Sequence, residues 1–394
     1  MKGTVGAHIM EYGHAPELVI EVPQVTTLFG AFAEFCSGWA LSGTTCHGMW
    51  IAFSKRTDGQ VQVFNATRNE RKKYQLSAMR ERKEDKWCVI TKAVCQTLQA
   101  SELKVTGFDM TFKGHTAVAD SPVLSGSLIS GMLFALNKLF SFNCDPTTLT
   151  RLGFNSKRFL KGYEPRMRDL ITLFTAEPGK VIRYNLDTYD YEFCKYPFVR
   201  GSGVVTWFID CSLPDGELEG EVDDFRRTCA KASELVKGHL NNGAKLRELN
   251  ENDIRRHMHL PITEEMKRAL SYVCEESQFA DKAHKAILAR NPIAFGKIII
   301  AEQRNLFDLA ELTSPEVDWL VRRGVEARGV RGVTEVSTGI TGTLIALIDE
   351  GSEEAYFKCF DEYERIFGFR PVCTEYNPAG SMRVVPESEY GEQA

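Results

Sequence analysis

Ser125, Gly126, Ser127 and Ser130 share one small-residue stretch, Asp120-Ser-Pro-Val-Leu-Ser-Gly-Ser-Leu-Ile-Ser-Gly-Met132. An apolar run, Leu133–Phe140, follows it directly. Small residues at a helix start let backbone N–H groups approach an anion, and the helix dipole favours negative charge there. The expected geometry is therefore a turn over 120–132 that cradles a phosphate, with a helix over 133–140. Leu128 and Ile129 put apolar side chains where hydroxyls would serve such an anion.

Other reactive residue types lack useful spacing. The 11 cysteines contain no Cys-x-x-Cys pair, and they read as reduced thiols in the core. His47 beside Cys46, and His257 near His259, have no partners at zinc-ligand spacing. The basic cluster from Arg68 to Lys86 alternates with Glu70, Glu81, Glu84 and Asp85, the pattern of a solvated helix or loop. With a net charge of −5 and no basic tail, nucleic acid is not an expected partner. No apolar run is long enough to span a bilayer, and the first residues lack the apolar core of a signal peptide. A cytoplasmic location and no membrane association are the expectations.

The elements that must position the small-residue stretch are legible in part. Residues 17–30 and 48–66 read as strands, and Asp58-Gly59 reads as a hairpin turn within the second span. Apolar spacing predicts a helix over Trp87–Gln99 and a strand over Leu103–Phe112. Further helices are expected over Leu149–Phe159, Leu218–Gly238 and Glu353–Phe367, with helices dominating up to Arg323 around breaks at Pro261 and Pro292. Strands are expected over Lys180–Leu186, Val204–Asp210 and Thr343–Ile348. The class is α+β in two domains, 1–200 and 201–394, divided at the punctuation of Pro197 and Gly201-Ser-Gly203.

Several segments together resemble galactokinases, members of the GHMP sugar and metabolite kinases. Leu103–Asp109 with Pro122, Gly126 and Ser130 is similar to the family's strand and phosphate loop, Pro-x-Gly-x-Gly-Leu-Ser-Ser-Ser-Ala-Ala. Asp224-Phe-Arg-Arg-Thr-Cys-Ala-Lys-Ala232 resembles the Tyr-Asn-x-Arg-Arg-x-Glu-Cys helix. Lys267–Glu276 resembles the Arg-Arg-Ala-x-His-Val-x-x-Glu-Asn helix. Thr57-Asp-Gly-Gln-Val resembles the first hairpin, and Phe307-Asp-Leu with Ser314-Pro-Glu-Val-Asp318 a later motif. Gly329-Val-Arg-Gly with Ser337–Gly342 resembles the glycine-rich third motif, and Asn377–Arg383 the end of the family's chain. The resemblance runs from about residue 25 to 385 and implies a two-domain GHMP kinase fold. Its second domain would be ferredoxin-like α+β, with the active site between the domains. ATP and Mg²⁺ are the implied cofactors, and a nucleotide and a sugar the implied small-molecule partners. Pro122, Ser125, Gly126, Ser127, Ser130, Gly339 and Gly342 fall on cofactor positions, with Ser130 on the metal position.

The reacting groups depart from the family. Its arginine lies in Gly-Arg-Val-Asn-Leu-Ile-Gly-Glu-His-Thr-Asp-Tyr, and Gly30–Gly38 fills that place with Ala31 at the arginine. The Glu-His-x-Asp sugar contacts find no equivalent after Ser37, which leaves Ala31, Glu34 and Ser37 as the substrate-side positions. Gly6–Tyr12 imitates the motif but lies too far ahead of Gly59. The catalytic aspartate of Gly-Ile-Met-Asp-Gln falls on Arg168, beside Asp169. A guanidinium stays protonated and cannot take a proton from a hydroxyl. Asp169, one residue on, turns about 100° away on a helix. Three readings stay open: an impaired galactokinase homologue with a sensing or regulatory role, an active kinase whose acceptor is anionic and meets Arg166 and Arg168, and a plain galactokinase.

Overall fold

A computed structural model describes residues 1–394 except 115–121, 161–164, 214–218, 241–244, 257–260, 337–341 and 391–394. In chain order it contains α1 (Lys2–Tyr12), β1 (Leu18–Phe29), β2 (Trp39–Lys55), β3 (Gln60–Asn65), β4 (Glu70–Gln75), α2 (Cys88–Ala100), β5 (Phe108–Gly114), α3 (Pro122–Leu139), α4 (Pro146–Asn155) and α5 (Met167–Thr175). There follow β6 (Lys180–Asn185), β7 (Tyr191–Lys195), β8 (Val204–Asp210), α6 (Glu219–Lys237), α7 (Glu251–Arg256), α8 (Glu264–Leu288), α9 (Pro292–Asn305) and α10 (Pro315–Glu326). The chain closes with β9 (Val330–Glu335), β10 (Thr343–Asp349), α11 (Glu353–Phe357), α12 (Phe360–Phe367), β11 (Val372–Glu375) and β12 (Arg383–Val384).

Packing divides the chain into Met1–Val25, Thr44–Pro178 and Ala379–Ala394 as one unit, and Thr26–Gly43 with Gly179–Pro378 as the other. These units differ from the spans 1–200 and 201–394. The Pro197 and Gly201-Ser202-Gly203 punctuation marks the loop from β7 to β8, which lies within the second unit. Turn residues report where the chain bends and carry no record of which core it serves.

In the first unit, β5 pairs antiparallel with β2 (Ile51 opposite Phe112) and parallel with β3 (Val63 opposite Met110). β5 therefore lies between β2 and β3, and the expected β2–β3 hairpin does not form. Gly59 does turn the chain, at φ +71°, but the hairpin is β3–β4, with Gln60 opposite Gln75. The stretch read as solvated helix or loop thus contains strand β4. Its side chains are mostly exposed, so charge alternation recorded solvation and left the backbone undecided. Ile51, Phe53, Val63, Phe108 and Met110 share a core with Leu128, Ile129, Met132 and Leu133 of α3 and Leu170 and Leu173 of α5.

In the second unit a four-stranded antiparallel sheet runs in the order β11-β8-β10-β9. With helices between β8 and β9 and between β10 and β11, this is the ferredoxin-like β-α-β-β-α-β arrangement. β10 alternates its faces, as a strand must. Leu344, Ala346 and Ile348 pack with Val317, Tyr356, Phe360 and Tyr363, whereas Ile345 and Leu347 pack with Phe279, Ala283 and Ile299. The region expected as one helix over 353–367 breaks into α11 and α12. The α+β class stands.

Candidate functional site

The small-residue stretch is helical where a turn was expected. α3 begins at Pro122, a residue suited to a first helical position because its missing N–H has no partner there. Only the first four N–H groups of a helix lack an internal acceptor. From Gly126 onward the amides therefore belong to the helix ladder and are not offered to an anion. Ser125, Leu128, Ile129 and Ser130 are fully buried. Leu128 and Ile129 are apolar because they fill the core, each contributing about 1.5–3 kcal/mol of burial. Ser127 is half-buried.

The Ser130 hydroxyl has no hydrogen-bond partner among the described residues. A magnesium ion demands near-octahedral oxygen ligands and keeps several waters, which a fully buried hydroxyl between Ile129 and Gly131 does not accommodate. No group of three or more His, Cys, Asp or Glu side chains that could hold a metal occurs among the described residues. Ser130 thus does not fit the metal position. The side chains of 122–124 lie outside the description.

Beside α3 stands the start of α5. A Cβ built at Gly126 would lie 3.9 Å from the Cβ of Asp169, so the stretch and the 168–169 pair are neighbours. Arg168 is 1% exposed. Its Nε lies 3.4 Å from the Asp169 carboxylate, which is itself 20% exposed. A buried guanidinium without a nearby anion would be costly, and Asp169 supplies one. Arg166 is half-buried at the N-cap of α5.

The substrate-side positions form a turn in the second unit. Gly30, at φ +84°, ends β1, and a Cβ there would lie 2.3 Å from the Trp39 carbonyl oxygen. No other residue fits. The amides of Ala31 and Phe32 then donate to the two carboxylate oxygens of Glu276, at 2.8 and 2.9 Å. Ala33–Cys36 form one 3₁₀ turn, and Ser37 takes φ +52°. The Ser37 carbonyl accepts from Arg247 at 2.8 Å, and Glu34 pairs with Arg226 at 3.1 Å. Arg226 also lies over the Phe32 ring, 5.0 Å from its centre. Glu276 is fully buried, and so is Glu302 nearby. Burial and the Glu276 charge push the Glu302 carboxyl well above the usual carboxylate range. It accepts from the Tyr272 hydroxyl at 3.2 Å.

β1 carries Leu28-Phe29 straight into Gly30, a run similar to the Leu-Ile-Gly of the family motif. On that resemblance the arginine position would be Val25 rather than Ala31, and Ala31, Phe32 and Glu34 would take the glutamate, histidine and aspartate positions. Val25 is buried in the core of the first unit.

Gly342 is explained by packing. It takes φ +56°, and a Cβ would lie 2.4 Å from Leu213 Cδ1. Between the two halves of the third motif, Glu335 is buried and desolvation pushes its carboxyl up to about 8. Gly339, Ser337 and Thr338 lie outside the described residues. Sequence reading placed the 267–276 and 224–232 helices but missed that Glu276 and Arg226 hold the 30–37 turn. The signal available was a charged residue on the apolar face of each helix.

No protein-family model matches the chain. A relative from Treponema pallidum named "Putative galactokinase" is 27% identical over 98% of this chain and 97% of its own length. The Bacillus subtilis galactokinase is 24% identical over 88% of this chain and 89% of its own. Among solved structures, Lactococcus lactis galactokinase complexed with galactose superposes with a TM-score of 0.86 at 19% identity. That likeness covers 96% of this chain and 98% of the other. The chain is similar to galactokinases along nearly its whole length. Methanococcus jannaschii mevalonate kinase, at TM-score 0.62 and 15% identity, has the same two-domain α+β fold over 94% of this chain. The family implies ATP-dependent phosphoryl transfer. No described helix of this chain is long and apolar enough to cross a membrane.

Proposed function

We propose that this chain is a catalytically impaired galactokinase homologue and serves a sensing or regulatory role through the retained fold. One observation carries the proposal: the position of the family's catalytic carboxylate holds Arg168, buried and paired with Asp169. Phosphoryl transfer to a sugar hydroxyl needs the hydroxyl proton removed and developing charge balanced. Arg168 cannot accept a proton at any working pH. Val25 supplies no cation at the arginine position, and Ala31 and Phe32 remove two polar sugar contacts. The buried Ser130 supports the same reading for the metal side.

The alternative is an active ATP- and Mg²⁺-dependent kinase of galactose or an anionic acceptor that meets Arg166 and Arg168. The burial of Arg168 and its pairing with Asp169 weigh against an acceptor reaching it. The test is formation of sugar phosphate from galactose and MgATP by the full chain, with the Bacillus subtilis galactokinase assayed alongside. General-base catalysis contributes about 10²–10⁴-fold, so turnover at least about 100-fold below that enzyme is expected. Comparable turnover sinks the proposal. A thermal-shift series with galactose, ATP and both reports any ligand the folded state retains.

A further inference from the structure

We infer that the solvent face of α9 docks an acidic amphipathic helix of a partner protein. α9 buries Phe295, Ile299 and Leu306, the residue that follows its last turn. The opposite face carries Ile293, Ile300 and Phe307, exposed by 59%, 37% and 55%. Residues seven apart drift only about 20° around a helix, so the three make one apolar stripe. The π-helical turn Leu306–Ala310 continues the face as far as Phe307. A stripe at this spacing is what a second helix packs against.

The charges beside the stripe choose the occupant. Lys297 and Arg304, each four residues beyond an exposed isoleucine, are exposed and make no ion pair among the described residues. Asp308, at the far end, leaves Arg304 unpaired. A second copy of α9 would set cation against cation at these flanking positions, which is destabilising. A helix with apolar residues on one face and carboxylates beside them satisfies both features.

Two synthetic three-heptad peptides test this against the full chain by fluorescence anisotropy. Both carry leucines along one face; one is flanked by glutamates and the other by lysines. The glutamate peptide is expected to bind at least about 10-fold more tightly, a difference of about 1.4 kcal/mol, and to weaken as salt rises. Ile300→Asp should lose that binding, and Lys297→Glu with Arg304→Glu should reverse the preference. These side chains are exposed, and the discrimination by the unaltered protein stands even if a variant folds poorly. Equal binding of the two peptides, or no binding of either, overturns the inference. A dimer by light scattering that Ile300→Asp disperses assigns the stripe to a second copy and overturns it equally.

Discussion

The start of α5 and the turn over 30–37 resemble two different motifs of the galactokinases, and they depart from those motifs differently. At α5 the resemblance would place a carboxylate where Arg168 stands, beside its neighbour Asp169. In the 30–37 turn it would place polar contacts where Ala31 and Phe32 stand, while the backbone is held from inside by Glu276. The first departure lies in a helix that still packs Leu170 and Leu173 into the first unit's core. The second keeps a demanding backbone and strips its side chains. Backbone positions are fixed by interior partners, so the frame and the reacting groups can vary separately.

The comparison breaks most readily at Glu276. Glu276→Ala leaves two buried amides unpaired and is expected to cost about 3–5 kcal/mol, since each bond to a charged group contributes about 1.5–3. Urea unfolding measures it, and a near-neutral result means that the interior does not hold the turn.

Acid should act on the first unit. His8 is fully buried against the Ser54 hydroxyl at 3.0 Å, and desolvation pulls its pKa from 6.5 to about 4. Between those values the unfolded chain binds a proton that the folded chain refuses, so stability falls as pH drops through this window, by about 3 kcal/mol. The second unit has the opposite slope. Glu335, raised from 4.5 to about 8, keeps a proton that the unfolded chain releases, so stability falls as pH rises between those values. Thermal melts across pH check both, with His8→Phe abolishing the acid-side slope and Glu335→Gln the alkaline-side one.

Gly131→Ala probes the closeness of α3 to its sheet. The added Cβ would lie 2.7 Å from Ile51 Cδ1 and 2.8 Å from Val22 Cγ2. Overpacking of this kind costs about 1–3 kcal/mol; an unchanged melting temperature would show that α3 has room to move. The smallest effect belongs to Glu34 and Arg226. Both are partly exposed, at 29% and 20%, and a double-mutant cycle should give about 0.2–1 kcal/mol. A coupling of several kcal/mol would make that pair, and not Glu276, the main anchor of the turn.

The sequence by itself determined the α+β class and the order of the motifs, because side-chain identity and spacing are local. It also marked Gly30 and the helix over 267–276. Tertiary structure decided the rest. Whether 122–132 is a turn or a helix depended on a core waiting for Leu128 and Ile129, since small residues permit both. The insertion of β5 between β2 and β3 overrode the hairpin expected there and left the turn at Gly59 in place, because strand pairing is chosen across the sheet. Only the fold brought Glu276 to the amides of Ala31 and Phe32, across 245 and 244 residues. No local pattern encodes a contact at that separation; it exists because burying the two helices and the turn together leaves one carboxylate facing two amides.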